Sequence, residues 1–452
     1  MKLVQELTRI IGREGVIHAK AEVGTYECDA YTLAKGTAAA VVLPSSTDQV
    51  AEVCRFAHLH SVPIVPRGAG TGLAGGAAPV RGGIVLSLAR MTRILKVDVE
   101  NRCVTAEAGV TNLAINRAVE PHGLFFGPDP SSQAVATLGG NIAANAGGPH
   151  TLRYGTTAHH ISGLTVVLAD GEVVRLTERE AGDLIGLFAG SEGTLAVVTE
   201  ASVRVLPKSP IAATLWAVLP DLDTACSAVC RLMLQALPPS ALEMLDRPVL
   251  DAAKSAFGFE GGEDAQVALL VEFEGAEASV RDAVQAAEGM LRSAGASSIR
   301  RAGSAEERAY LWQVRKKAVA AFGHLAPSHA SHDGAVPRSK LATMLRRANA
   351  IAERHGLRHA NVFHAGDGNL HPILLFDESD AHQVEAVARA GREVLAECIR
   401  VGGSISGEHG IGVEKRRMMR EMYSDATLSV MRRLKEAFDP SGILNPGKVL
   451  PD

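Results

Sequence analysis

The chain has 452 residues, with 46 Lys and Arg against 50 Asp and Glu and a formal net charge of -4. That length allows two or three domains with a sizeable core, and the balanced charge without a basic stripe argues against a nucleic-acid partner. The N-terminal MKLVQELTRIIGREG lacks the apolar segment of a signal peptide, and no apolar run reaches the ~18 residues of a membrane span. The six cysteines (Cys28, Cys54, Cys103, Cys226, Cys230, Cys398) include no Cys-x-x-Cys pair. This points to free thiols in a reducing compartment and away from an iron–sulfur cluster or zinc ribbon.

Taken in chain order, residues 38–43 read as a strand. Pro44-Ser45-Ser46-Thr47 then starts a helix on which Val50, Val53, Cys54 and Ala57 recur at helical spacing. A short strand over 62–66 closes this α/β unit and runs into PRGAGTGLAGG, 66–76. Strands are expected over 84–88 and 103–109, a hairpin over 161–176 turning near Asp170-Gly171, and a long strand region over 194–207. The texture changes near residue 210. Strands within 212–220 and 265–275 alternate with alanine-rich helices over 221–237 and 277–295. Helices follow over 305–322 and 338–355, then a hairpin, and the stretch from about 400 to 452 is again loop-rich. The expected domains are 1–210, 211–400 and a C-terminal segment 401–452.

The last hairpin carries HAGDGNLH, 364–371. Asp367-Gly368 is a strong hairpin tip, and placing it there sets His364 opposite His371. Opposed residues have Cβ atoms roughly 4.5–5.5 Å apart, which suits two imidazoles sharing one metal ion. The alternative is two loop histidines on a surface hairpin.

Three glycine-rich segments remain. The first, Arg67-Gly68-Ala69-Gly70-Thr71-Gly72, follows a strand; its glycines let backbone N–H groups approach a phosphate closely. It is neither a P-loop nor a G-x-G-x-x-G turn opening a helix, and a plain glycine turn is the alternative. The second, 127–155, places small residues and amide side chains along one surface, which suits a flat, heteroatom-rich ligand. The third is Gly190-Ser191-Glu192-Gly193-Thr194.

The loop PRGAGTG, the segment PDPSS…TLGGNIAANAGG…RYG, GSEGTL and the terminal LNPGK together resemble the FAD-binding fold of the vanillyl-alcohol oxidase / p-cresol methylhydroxylase flavoproteins. HAGDGNLH, GEHGIG and FDPSGILNPGK resemble its FAD-linked 2-hydroxyacid dehydrogenase branch: D-lactate dehydrogenase, the glycolate oxidase flavin subunit and D-2-hydroxyglutarate dehydrogenase. The resemblance implies an α+β protein: a two-subdomain FAD-binding domain of the p-cresol methylhydroxylase type, plus an α+β cap domain with an antiparallel sheet. It implies FAD pyrophosphate on Arg67, Gly68, Ala69, Gly70, Thr71 and Gly72. Pro128, Asp129, Thr137, Gly139, Asn141, Gly147 and Gly148 would line the isoalloxazine and ribityl chain. Glu192, Gly193 and Val198 would lie near the adenine end, with Asn445 returning to the flavin. Thr71-Gly72-Leu73 stands where some relatives carry a flavin-linked histidine, so the FAD is expected to be non-covalent.

The same resemblance implies a divalent metal, zinc or manganese, on His364, His371 and Glu408. His409 would be the general base and Arg315 the clamp on the substrate carboxylate. The expected reaction is oxidation of a D-2-hydroxy acid, D-lactate or glycolate, to the 2-oxo acid by hydride transfer to flavin N5. Two alternatives are D-2-hydroxyglutarate dehydrogenase and the flavin subunit of a multi-subunit glycolate oxidase. Ser331 stands where the hydroxyglutarate enzymes tend to carry a lysine, against a dicarboxylate substrate. A non-redox synthase of the same fold would carry a triple-histidine run, which is lacking here, and a flavin-free metallohydrolase would leave the glycine loops unexplained. The remaining expectations are an electron acceptor, protein or quinone, a cytoplasmic location open to peripheral membrane attachment through that acceptor, no nucleic acid, and room for a homodimer.

Overall fold

A computed structural model describes residues 2–261 and 265–452. It is an α+β protein of two compact units: Met1–Gly148, Gly155–Lys208 and Glu408–Asp452 form the first, Pro149–Tyr154 and Ser209–Gly407 the second.

The first unit holds two main sheets. In one, β1 (Val16–Ile17), β2 (Ala40–Val42), β3 (Ile64–Arg67) and β4 (Ile84–Ser87) lie in the order β1-β2-β4-β3, with β2 and β3 parallel to β4. Parallel strands need a crossover, and helix Thr47–Leu59 supplies it. Ser46 caps that helix by accepting the Gln49 N–H, and Val50, Val53, Cys54 and Ala57 are its buried stripe, the spacing read from the sequence. The C-terminal chain returns to this sheet: Ile64 N–H donates to Ile443 O at 2.8 Å and Asn445 N–H to Ile64 O at 2.7 Å. In the other sheet, β5 (Ile94–Asp98), β6 (Cys103–Glu107), β7 (Ile161–Val167), β8 (Val173–Thr177) and β9 (Val197–Arg204) run antiparallel in the order β5-β6-β9-β7-β8. Gly171, at φ +85°, turns the β7–β8 hairpin as Asp170-Gly171 predicts. The two sheets have separate apolar cores, one around Val42, Ile64 and Leu86, the other around Val104, Leu164 and Val203.

The second unit is one mixed-length antiparallel sheet with helices packed on it. Its strands are β10 (Ile211–Leu219), β11 (Ala241–Asp246), β12 (Val267–Gly275), β13 (Ser298–Arg301), β14 (Ser328–Ser331), β15 (Gly334–Ala335), β16 (Arg358–His364), β17 (Asn369–Leu370) and β18 (Pro372–Phe376). The path is β13-β10-β12-β11-β16-β17-β15, with β18 joining β16 to β14. Strands β10 and β12 pair along their whole length, from Ile211 opposite Gly275 to Leu219 opposite Val267.

The histidine hairpin corrects the predicted register. His364 pairs with Asn369, not His371, and Asn361 with Pro372, so the turn is the four residues Ala365–Gly368. The slip is two residues. Because side chains alternate with period 2, a two-residue slip keeps both imidazoles on one face and makes them diagonal neighbours. Their ring centroids are 5.2 Å apart at 83°. The turn is fixed by other elements: Gly366 N–H donates to Leu242 O at 3.1 Å, and Arg338 Nη1 donates to Gly366 O at 3.0 Å. Both histidines are buried, so this is an interior hairpin.

Gly368 has φ +72°, and a Cβ there would lie 2.2 Å from the Val336 carbonyl oxygen. Gly368→Ala combines left-handed strain with overpacking against backbone and should destabilise the protein by about 1–3 kcal/mol. Denaturant unfolding checks this; an unchanged midpoint and slope would show that the turn relaxes freely.

Candidate functional site

In the first unit, strand β3 delivers Arg67 into the loop 68–76. The Arg67 guanidinium turns back: Nη1 donates to Cys28 O at 2.7 Å, and the group lies over the Tyr26 ring. Asp29 accepts from Tyr31 N–H at 3.0 Å and Ala77 N–H at 3.1 Å, which folds the preceding chain against this loop. Ala69 and Gly72 are exposed, while Gly68, Gly70 and Thr71 keep part of their surface. A Cβ on Gly68 would come 2.4 Å from Thr137 Oγ1, so the first and second glycine segments lie against each other. Thr137 caps helix Leu138–Ala144 through the Gly140 N–H. Gly139 N–H donates to Ala108 O at 2.8 Å. Asn141 Nδ2 donates to Asn112, whose own Nδ2 donates to Pro128 O at 3.0 Å. Gly148, at φ +142°, packs on Asp129, and Gly147 is buried beside it. Val198 is a β9 side chain of the second core.

The third segment and the C-terminus meet here as well. Asn445 Nδ2 donates to Glu192 O at 2.7 Å and Gly76 O at 2.9 Å, and a Cβ on Gly193 would lie 3.0 Å from Pro66. Asn445 Oδ1 is buried and accepts no hydrogen bond among the described residues. Exposed glycine backbone beside an unfilled buried acceptor fits FAD, which carries phosphates for N–H groups and hydroxyl or N–H donors for an amide oxygen.

In the second unit, the site is built on Glu243 in β11. It lies opposite His364 in register and is fully buried. Its Oε1 accepts from His364 Nδ1 at 2.7 Å and its Oε2 from Arg315 Nε. Burial alone would raise the Glu243 pKa, but the His364 and Arg315 partners outweigh it and hold the carboxyl below its ordinary value. Since a carboxylate only accepts, the proton on His364 lies on Nδ1 and the lone pair on Nε2. Arg315 Nη2 lies 3.4 Å from that Nε2. With Nε spent on Glu243 and Nη2 against His364 Nε2, Nη1 is the Arg315 nitrogen that makes no hydrogen bond among the described residues. Asp333, also fully buried, stands 3.6 Å from His371 Nε2 and accepts from Ser406 Oγ at 2.8 Å and from Gly407 N–H at 3.0 Å. Gly407 ends the second unit; Glu408 and His409 open the last segment of the first.

Sequence reasoning passed over Glu243 and a second buried carboxylate, Glu272. The signal for both was an acid enclosed by apolar neighbours inside a strand, ALEMLD and VALLVEFEG. Glu272 accepts from Thr214 Oγ1 at 2.5 Å, Trp312 Nε1 at 2.7 Å, Arg308 Nε at 2.8 Å and His150 Nε2 at 3.0 Å. Burial would raise its pKa, yet Arg308 and His150 hold it far below the usual carboxylate range. The His150, Glu272 and Glu274 cluster has metal-like spacing, but Glu272 is already paired with Arg308.

Residues 38–177 match the FAD binding domain family, and residues 209–449 match the family of FAD linked oxidases, C-terminal domain. The chain is 40% identical over 440 residues to the glycolate oxidase subunit GlcD of Escherichia coli (strain K12), covering 96% of this chain and 88% of that protein. It is 36% identical over 416 residues to a D-lactate dehydrogenase of Archaeoglobus fulgidus, covering 91% of each. The structure of p-cresol methylhydroxylase with substrate bound superposes with a TM-score of 0.84 at 17% identity, covering 100% of this chain and 96% of that one, a likeness of fold.

Two outcomes follow from the buried acids. Glu243→Ala leaves the buried Arg315 guanidinium unpaired and should cost about 3–5 kcal/mol of stability in urea unfolding; a loss near zero would mean the pair is dispensable. Burial pushes the Glu192 carboxyl from 4.5 up to about 7, against the lowering effect of the Ile411 and Gly412 N–H groups. The folded state therefore holds a proton that the unfolded chain has released between pH 4.5 and about 7. Stability from this group falls as pH rises through that window and is level above it. Glu192→Gln should remove this slope from the pH dependence of unfolding; an identical slope in both proteins would contradict the assignment.

Proposed function

The chain belongs to the FAD-linked oxidase family and is an FAD-linked oxidoreductase, and we propose that it oxidises glycolate or D-lactate to the 2-oxo acid. The observation that carries this reading is the buried Glu243–Arg315–His364 group: an oriented guanidinium beside an imidazole whose Nε2 carries a lone pair. That is the equipment for a small anion with an oxidisable hydroxyl. The names of the relatives, glycolate oxidase subunit and D-lactate dehydrogenase, agree with it.

FAD, held by the glycine segments and Asn445, supplies a two-electron acceptor when bound. A divalent metal, zinc or manganese, supplies Lewis acidity for the substrate oxygens, with His364 and His371 as imidazole ligands and Glu408 assigned from the GEHG motif alone. Arg315 binds the substrate carboxylate through Nη1, the nitrogen left over by Glu243 and His364. Glu243 orients both Arg315 and His364 and keeps the His364 proton on Nδ1. His409, also assigned from that motif, takes the hydroxyl proton as the Cα–H bond breaks and its electron pair leaves as hydride. Ser331 places no cation for a second carboxylate, which favours a monocarboxylate over D-2-hydroxyglutarate.

A second reading, a flavin subunit working in a larger glycolate-oxidising assembly, is favoured by the word subunit in the names of the E. coli and Bacillus subtilis relatives. A protein or quinone acceptor serves either reading. No helix among the described residues is long and apolar enough to cross a membrane, and a cytoplasmic setting remains part of the proposal.

Anaerobic mixing of the FAD-loaded protein with glycolate, D-lactate and D-2-hydroxyglutarate tests the reading. Bleaching of the flavin band by one of the first two acids, lost after chelation, is expected; a yellow protein bleached by none would discard the substrate class. In the same assay His409→Ala should slow flavin reduction by ~10²–10⁴-fold with FAD content unchanged, and reduction at the wild-type rate would remove His409 from its role.

A further inference from the structure

We propose that Glu192 is a positioning residue for the segment that carries His409, acting through backbone N–H groups and not through the cofactor. The inference rests on the reading of His409 as the base and adds a residue to it.

The backbone at Glu192 is pinned on three sides. Glu192 N–H donates to Ala143 O at 2.8 Å, at the end of helix Leu138–Ala144. Asn445 holds the Glu192 carbonyl. Thr194 N–H closes the turn onto Ser191 O at 3.0 Å. Glu192 itself has φ +52°, a left-handed conformation that a non-glycine residue keeps only where its surroundings enforce it.

This frame aims the carboxylate at residues 410–412. Oε1 accepts from Ile411 N–H at 2.6 Å and Oε2 from Gly412 N–H at 2.9 Å. The fit is tight: a Cβ on Gly410 would lie 2.8 Å from Glu192 Oε1, and one on Gly76 would lie 3.1 Å from Oε2. Beyond the turn, Val413 and Glu414 N–H both donate to Ala74 O. The charged groups around the carboxylate are Lys415, Lys448 and Asp29. Above about pH 7, where Glu192 has lost its proton, the carboxylate accepts on both oxygens and its hydrogen bonds to N–H are charge-assisted. No other side chain of this length presents two acceptors without a donor. Glutamine turns an NH2 toward one of the two amides, so that amide loses its partner. Since His409 is the residue before Gly410, freedom in 410–412 is freedom in the His409 Cα.

The test uses FAD-loaded Glu192→Gln beside wild type, above about pH 7 where Glu192 is a carboxylate, with hydrogen exchange over 408–414 and anaerobic flavin reduction. The amides of Ile411 or Gly412 should exchange about tenfold faster. The reduction rate at saturating substrate should fall roughly 10²-fold, as a displacement near 1 Å can produce, with KM and FAD content as in wild type. Unchanged exchange would overturn the holding role; faster exchange with an unchanged rate would overturn the positioning role. Loss of FAD from a folded variant would also overturn it, marking Glu192 as a cofactor residue. If Glu192→Gln does not fold, Gly410→Ala, whose Cβ presses on the same carboxylate, decides by the same two readouts. Should wild type be reduced by none of the hydroxy acids, the substrate reading fails, and the exchange result still decides whether Glu192 holds the segment.

Discussion

A carboxylate buried in the middle of a sheet organises the second unit. Glu243 has no solvent contact, so its charge survives only because Arg315 and His364 face its two oxygens. That requirement sets three things together: the direction of the Arg315 fork, the tautomer of His364, and the register that brings β11 and β16 side by side with Glu243 opposite His364. Replacing all three by apolar residues would pack a simpler core. Retaining them keeps an oriented cation and an imidazole lone pair at one point in the fold.

The first unit meets a different constraint. Its glycine segments contribute little apolar surface, so they are held from outside by carbonyls and amide side chains: Ala108 for Gly139, Pro128 and Asn112 for Asn141, and Glu192 and Gly76 for Asn445. Rigid backbone with exposed N–H groups results, which is what a phosphate-bearing cofactor needs without a charged lysine in the loop.

The local patterns were readable because they are one-dimensional. The helix at Thr47 shows its cap and its stripe, Asp170-Gly171 its turn, and β10 and β12 their apolar runs. The histidine hairpin was half readable: its face came from the period of two, but its register was decided by Leu242 and Arg338, from distant parts of the chain. Strand Ala241–Asp246 was missed because six residues with a central acid resemble a loop until the partners of that acid are known. The twenty-residue helix Ala381–Arg400 was passed over between two motif-rich stretches. FAD and the family were legible only through resemblance of motifs, since spacing and composition alone left a plain glycine turn equally open.

The most direct measurement on the central group is the nitrogen-15 spectrum of histidine-labelled, metal-free protein at neutral pH. His364 is assigned by its loss in His364→Gln, and the spectrum is compared with that of Glu243→Gln. The account predicts a protonated Nδ1 and an unprotonated Nε2 in the wild type, with that preference lost once the carboxylate is gone. A wild-type His364 protonated on Nε2 alone would contradict the role given to Glu243, and with it the oriented lone pair on which the site is built.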